Sequence, residues 1–213
     1  MLKSENRSAK IAEFLLNIKA IKLQPENPFK WASGWNSPIY CDNRKTLSYP
    51  EIRTYIKNSF SEKILEKYEK PDIIAGVATG GIALGALVAE ELGIPFCYVR
   101  SQSKSHGLTN KIEGEVTSGQ TVVVIEDLIS SGKSSLDAVE ALRGIGCKII
   151  GMGAIFSYGF DIAKENFLND DCELFTLTNY DTLIKIAIDS NYISHDDLNS
   201  LSDWRKSPST WKK

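Results

Sequence analysis

The chain has 213 residues, an ordinary globular composition and a formal net charge of −2. That length buries a substantial core, read here as one domain over residues 1–213. The charge balance excludes the basic excess of a nucleic-acid or membrane-surface protein.

Lys10 to Ile21 places Ile11, Phe14, Leu15, Ile18 and Ile21 at spacings of three and four, which predicts an amphipathic helix. In Phe29-Lys-Trp-Ala-Ser-Gly-Trp-Asn-Ser-Pro-Ile-Tyr-Cys-Asp-Asn-Arg44, aromatics alternate with small residues, Ser33-Gly34 signals a turn and Pro38 breaks any helix. This reads as a hairpin-like subdomain over about 22–45; on these residues alone an irregular edge fits equally well. A helix begins at Tyr49-Pro50, where proline suits a first turn. It runs to about Lys67, with Ile52, Ile56, Phe60, Ile64 and Leu65 on its buried side.

Asp72-Ile-Ile-Ala-Gly-Val-Ala78 is a buried strand leading into Thr79-Gly80-Gly81 and a helix ending near Leu92. Glycines at a strand-to-helix turn let the backbone approach a ligand, or serve only the turn. Ile73 to Ala89 is uncharged, but its glycines divide it into strand, turn and helix start, so no membrane span is expected. Pro95 to Arg100 is the next strand. The polar stretch from Ser101 to Glu115 then has the length of a functional loop or a solvated excursion. Arg100, Lys104 and His106 place three potential cations at its start, suited to neutralising an anionic leaving group. Taken singly, His106 reads as a solvent-exposed residue.

The most informative stretch is Thr121-Val-Val-Val-Ile-Glu-Asp-Leu-Ile-Ser-Ser-Gly-Lys-Ser-Ser135. Four β-formers run into Glu126 and Asp127, and a helical pattern starts at Ser135, which predicts a strand buried on both faces, a turn and a helix. Two carboxylates leaving the core together accept hydrogen bonds from a polyol such as ribose. The turn Leu128 to Ser134 offers backbone N–H groups, the hydroxyls of Ser130, Ser131 and Ser134, and the positive end of a helix dipole, which together cradle a phosphate. A phosphorylated pentose fits this pair of features. Gly132-Lys133-Ser134 mimics the end of a Walker loop, but the earlier glycine of that motif is missing.

Gly146 to Phe156 is another buried strand, ending at Ser157-Tyr158-Gly159-Phe160, where Tyr158 either lines a pocket or packs. A short helix (161–168), a last strand (173–178) and an amphipathic helix containing Leu183, Ile184 and Ala187 follow. The final helix points Leu198, Leu201 and Trp204 inward, with His195 at its cap and Trp211 in a loose tail. Strands alternating with helices over about 50–178 predict an α/β core with a mostly parallel sheet and sites at the strands' carboxyl ends. Four cysteines, at 41, 97, 147 and 172, form no Cys-x-x-Cys pair, so buried thiols of a reducing compartment are expected. The polar start Met1-Leu-Lys-Ser-Glu-Asn-Arg7 lacks the apolar core of a secretion signal, and the expected location is cytoplasmic.

The stretch 121–135 resembles the phosphoribosyl pyrophosphate (PRPP) motif of type I phosphoribosyltransferases, a motif that does not identify the base and is shared with purine enzymes and PRPP-sensing regulators. Ser33-Gly-x-x-Ser-Pro-x-Tyr40, with Asp42-Asn-Arg behind it, is similar to the amino-terminal hood of orotate phosphoribosyltransferases. Arg100-x-x-x-Lys104-x-His106-Gly107 resembles their catalytic loop, and Thr79-Gly-Gly resembles their pyrophosphate loop. Three lysines found in relatives are Ala32, Gly80 and Ser101 here, and an arginine that meets orotate in some members is replaced by Tyr158-Gly159.

The resemblance implies the type I phosphoribosyltransferase fold, a central sheet flanked by helices under a small hood. It implies transfer of phosphoribose from PRPP to orotate in pyrimidine synthesis, with Mg²⁺ held mainly through substrate oxygens and no protein metal cage. By the same resemblance Arg100, Lys104 and His106 serve pyrophosphate and catalysis, and Glu126 and Asp127 take the ribose hydroxyls. Leu128, Ile129, Ser130, Ser131, Gly132, Lys133 and Ser134 surround the 5′-phosphate, while Ser130 and Tyr40 face orotate. A homodimer with a shared active site is also implied, with neither nucleic acid nor membrane as partner.

Overall fold

Apolar residues at helical spacing form α1 (Leu2–Asn17), which starts earlier and stops sooner than the pattern predicts. The chain reverses at Lys19, whose φ is 54°, and Ile21 becomes the first residue of a strand instead of the last of a helix. The structure is a computed structural model and describes residues 2–31, 33–101 and 111–212. Strand β1 (Ile21–Leu23) and β2 (Phe29–Lys30) are followed by β3 (Asn36–Ser37) and β4 (Ile39–Cys41). Antiparallel pairing of β1 with β4 and of β2 with β3 makes the hood. A 3₁₀ turn, Asn43–Ser48, links it to α2 (Pro50–Lys67), which has proline in its first turn as predicted. Ile52, Ile56, Phe60 and Ile64 are buried along one row of this helix; Leu65, one position round the barrel, is exposed, contrary to the sequence reading.

The remaining elements are β5 (Ile73–Val77), α3 (Gly80–Leu92), β6 (Phe96–Val99), β7 (Ile112–Glu113), β8 (Thr121–Ile129), α4 (Lys133–Gly144), β9 (Lys148–Ser157), α5 (Asp161–Asn169), β10 (Leu174–Asn179), α6 (Tyr180–Asp189) and α7 (Asp197–Lys206). The six-stranded sheet has the order β10-β9-β8-β5-β6-β7, parallel except for β7, which returns antiparallel on β6. The β7 pairing is absent from the sequence reading because two residues inside a polar stretch carry no periodic signal.

Alternation along the central strands sorts the core into two layers. Ile74, Val123 and Ile125 face α1, α2, α3, α6 and α7, whereas Ile73, Ala75, Val122 and Val124 face α4 and α5. The first helix packs on the last part of the sheet: Ser8 Oγ donates to Thr178 Oγ1 of β10 at 3.2 Å and lies 3.4 Å from Thr182 Oγ1 of α6. The tail is not loose. Trp211 is buried in the main core, Lys212 Nζ donates to the Pro25 carbonyl at 2.6 Å, and Asn36 Nδ2 donates to the Lys212 carbonyl at 2.5 Å, so the tail is fastened to the hood. His195 is exposed just ahead of α7, and its carbonyl accepts from Leu198 N–H at 3.2 Å.

Candidate active site

Strand order reverses direction between β5 and β8, since β6 lies outward on one side and β9 and β10 on the other. Parallel sheets open a crevice at the carboxyl ends of strands beside such a point. The turn after β5 carries Thr79, Gly80 and Gly81, and the end of β8 carries Glu126 and Asp127, so the two stretches singled out by sequence meet there.

The two carboxylates are not equivalent. Glu126 is buried, and both of its oxygens are engaged: Oε1 accepts from Asp127 N–H at 2.9 Å and Oε2 from Ser135 Oγ at 3.2 Å. Burial, and after it the adjacent charge of Asp127, pushes the Glu126 carboxyl up to about 9. Asp127, half-buried at the mouth, is also raised by burial, while hydrogen bonding with Glu126 and the positive charge of Arg44 draw it back.

A pH dependence follows. Folded Glu126 keeps a proton that the unfolded chain gives up near the ordinary carboxylate range, so its contribution to stability falls as pH rises through about 9. Glu126→Gln keeps the shape without the charge. Thermal unfolding of the substrate-free protein at pH 6 and pH 9.5 is expected to show a smaller alkaline loss in the variant than in the parent. Equal losses would contradict the protonated state.

Strand pairing continues past the acids. Leu128 lies opposite Phe156 and Ile129 opposite Ser157, so the turn is Ser130 to Gly132, shorter than the one read from sequence. Ile129 is buried in the layer under α4 and α5 and Leu128 packs against the opposite layer, leaving their backbone as what they present to a ligand. Helix α5 fixes the outer wall of the turn: Asn166 Nδ2 donates to the Ser131 carbonyl at 2.9 Å, and a Cβ at Gly132 (φ +80°) would stand 2.5 Å from the Phe167 ring. Lys133 and Ser134, both exposed, start α4, where the first N–H groups lack helical partners and face anions favourably.

The β5 turn is built for close backbone approach. Its Ala78–Thr79 peptide is cis. A Cβ on Gly80 would lie 2.3 Å from Asp127 Cγ, and one on Gly81 would lie 2.3 Å from the Ile125 carbonyl oxygen. A Cβ at position 80 would overlap the Asp127 carboxylate where it now stands. Beyond this turn Thr79, Ile82, Tyr98, Arg100 and Glu113 line a cleft of about 630 Å³. Arg100 pairs with Glu113 at 3.3 Å, and its backbone N–H donates to the Lys111 carbonyl at 2.7 Å. Lys104 and His106 lie outside the described residues.

The hood stands over the acid pair. Tyr40 is exposed, its ring 5.6 Å from that of Phe29. Trp31 Nε1 donates to the Ile39 carbonyl at 3.1 Å, and its ring packs 5.7 Å from Trp204 and 5.4 Å from Tyr158. Tyr158 is buried among Trp31, Phe156, Phe160 and Trp204, which decides for packing over pocket lining. Asn43, which carries no role in the sequence reading, connects hood and sheet. Buried to 1% exposure, it donates from Nδ2 to the Asp127 carbonyl at 2.7 Å and accepts from Cys41 Sγ at 3.3 Å. The signal for it was the Asp42-Asn-Arg tripeptide itself.

Residues 46–187 match the model of the phosphoribosyl transferase domain. The chain is 56% identical over 207 residues to an orotate phosphoribosyltransferase of Bacteroides thetaiotaomicron, covering 97% of this chain and 98% of that one. It is 59% identical over 201 residues to one of Phocaeicola vulgatus, covering 94% and 95%. A crystal structure of orotate phosphoribosyltransferase from Aeropyrum pernix superposes with a TM-score of 0.75 at 26% identity, covering 86% of this chain and 99% of that one. Central motif, hood and fold thus agree, and the chain belongs to the phosphoribosyltransferase family, within it to the orotate phosphoribosyltransferases.

Proposed function

We infer that the chain transfers the 5-phosphoribosyl group of PRPP to orotate, giving orotidine 5′-monophosphate and pyrophosphate, a step of pyrimidine (UMP) synthesis. The observation that carries this is the meeting of the Glu126–Asp127 pair, the Ser130–Gly132 turn with the start of α4, and the Gly80–Gly81 turn at one crevice under the hood. Ribose hydroxyls donate to Asp127, with Glu126 behind it, and the 5′-phosphate takes the N–H groups from Ile129 to Ser134. Positive charge grows at C1 as pyrophosphate leaves, so positioning and electrostatics carry the rate. Arg100, Lys104 and His106 offset the charge of the leaving group. Ser130 and Tyr40 hold orotate, which attacks through its own ring nitrogen.

Mg²⁺ belongs to this reading. Among the described residues no three His, Cys, Asp or Glu groups gather as a cage. Asp127 would be the carboxylate that faces such an ion together with the substrate, with Glu126, whose oxygens are already engaged, behind it. When bound, such an ion neutralises phosphate charge. The reading also includes a homodimer sharing its sites and a cytoplasmic location. No helix among the described residues is long and apolar enough to cross a membrane.

The test follows orotate by its ultraviolet absorbance with PRPP and Mg²⁺ present, and with each left out. Consumption requiring PRPP supports the reaction, and its dependence on Mg²⁺ supports the cofactor. Orotate left untouched in the complete mixture would refute the reaction.

A further inference from the structure

The base pocket poses an electrostatic problem. Orotate is an anion, and it has to settle beside Asp127 and Asp42. The arginine that some relatives place beyond β9 is absent, and Tyr158, which stands there, is turned into the core. Among the described residues, most basic groups near the site are committed elsewhere. Arg100 pairs with Glu113 on the pyrophosphate side, Lys45 Nζ donates to the Lys19 carbonyl at 3.2 Å, and Arg205 pairs with Asp181 while stacking on Tyr180.

Arg44 differs from all of these. It follows Asn43, whose side chain is bonded to the Asp127 carbonyl at 2.7 Å, so the backbone at 44 stands beside the end of β8. Its Nε donates to Asp42 Oδ1 at 2.7 Å, which orients the guanidinium. Among the described residues its two terminal nitrogens have no hydrogen bond or ion pair, and the side chain is 59% exposed. The group lies within electrostatic reach of Asp127 and of Tyr40, the hood aromatic open to solvent. The Arg44 hydrogen bond holds the Asp42 carboxyl below the usual carboxylate range, so the orienting partner stays ionised. An arginine fixed through Nε and free at both terminal nitrogens presents the planar fork that matches a carboxylate in two parallel hydrogen bonds.

We propose that Arg44 is the specificity-determining cation of the base pocket, its free guanidinium fork receiving the carboxylate of orotate while Asp42 holds it in place. The proposal rests on the reading that orotate is the acceptor. A neutral pyrimidine lacking the carboxylate gains nothing from such a fork, so the device selects the acid over the bare base.

The experiment measures steady-state KM for orotate and for PRPP in the parent, Arg44→Gln, Arg44→Lys and Asp42→Asn, with unfolding temperature as a control on folding. Loss of a charge-assisted bidentate pair is expected to raise the orotate KM of Arg44→Gln by about 10- to 100-fold. The PRPP KM is expected to stay within about twofold. Arg44→Lys is expected to recover part of the loss, because it keeps charge but not the fork. Asp42→Asn is expected to raise the orotate KM by a smaller factor. An orotate KM unchanged in Arg44→Gln, beside an active parent, would overturn the role of Arg44 alone, and equal rises for both substrates would reduce it to general electrostatics and overturn it too. A parent that does not consume orotate would overturn the functional reading, and this inference with it.

Discussion

Gly80→Ala is expected to lower kcat/KM by about 100-fold while leaving the unfolding temperature nearly unchanged. The added Cβ would stand 2.3 Å from Asp127 Cγ and 2.4 Å from its Oδ1, inside any allowed contact. The backbone at position 80 is one that any L-residue adopts, so the fold accepts alanine. What yields is the free end of the Asp127 side chain, which swings from the place where ribose hydroxyls would meet it. A displacement near 1 Å at a positioning group costs about 10² in rate. The neighbouring Gly81→Ala is the contrasting control, because its Cβ meets the Ile125 carbonyl oxygen of the central strand, which has nowhere to go. Steady-state kinetics with PRPP varied, beside thermal unfolding, separates the two. A Gly80→Ala enzyme within threefold of the parent would show that the carboxylate's position does not matter.

Trp204→Ala is expected to destabilise the protein by about 3–5 kcal/mol, the range for removing a large aromatic from a core. Trp204 is 0% exposed and touches four rings, with centroids 5.7 Å away at Trp31, 5.7 Å at Tyr158, 5.4 Å at Phe160 and 5.7 Å at Tyr180. These come from the hood, the end of β9 and the start of α6, so the indole is the common floor of three elements. Truncation leaves a cavity that none of them can close alone. Equilibrium unfolding in urea measures the loss. Below the unfolding range the variant is expected to show a raised orotate KM, since the hood loses its seat. A loss under about 1 kcal/mol would mean that the rings close over the gap.

What the sequence made legible was local. Val122 to Asp127 declares strand and acid pair within a few residues, because burial on both faces demands an unbroken apolar run and function demands the acids at its end. Pro50 and the four-residue row from Ile52 to Ile64 gave α2 nearly to the residue. Contacts that join distant stretches were not legible. Asn43 reaches Asp127 across 84 residues, and the Asp42-Asn-Arg tripeptide marks the position without announcing its partner. Trp211 sits among polar neighbours and looks like a loose end until Pro25 and Asn36 are seen to hold the adjacent Lys212. In the sequence residues 128 and 129 look like turn because the small-residue pattern blurs where pairing stops; the register with β9 decides it.

The contact of α1 with β10 and α6 bears on how the protein is made. During synthesis α1 leaves the ribosome ahead of the whole sheet, and Thr178 and Thr182, its hydrogen-bonding partners, follow 170 and 174 residues after Ser8. Trp31 likewise awaits Trp204, and Pro25 awaits Lys212. The helix α1 and the hood therefore wait through the synthesis of the intervening sheet without their native partners, exposing apolar surface that the core cannot yet cover. Closure of such distant pairs carries a large entropic cost before it returns any contact. The central strands can assemble earlier, and the hood takes its native place only after them.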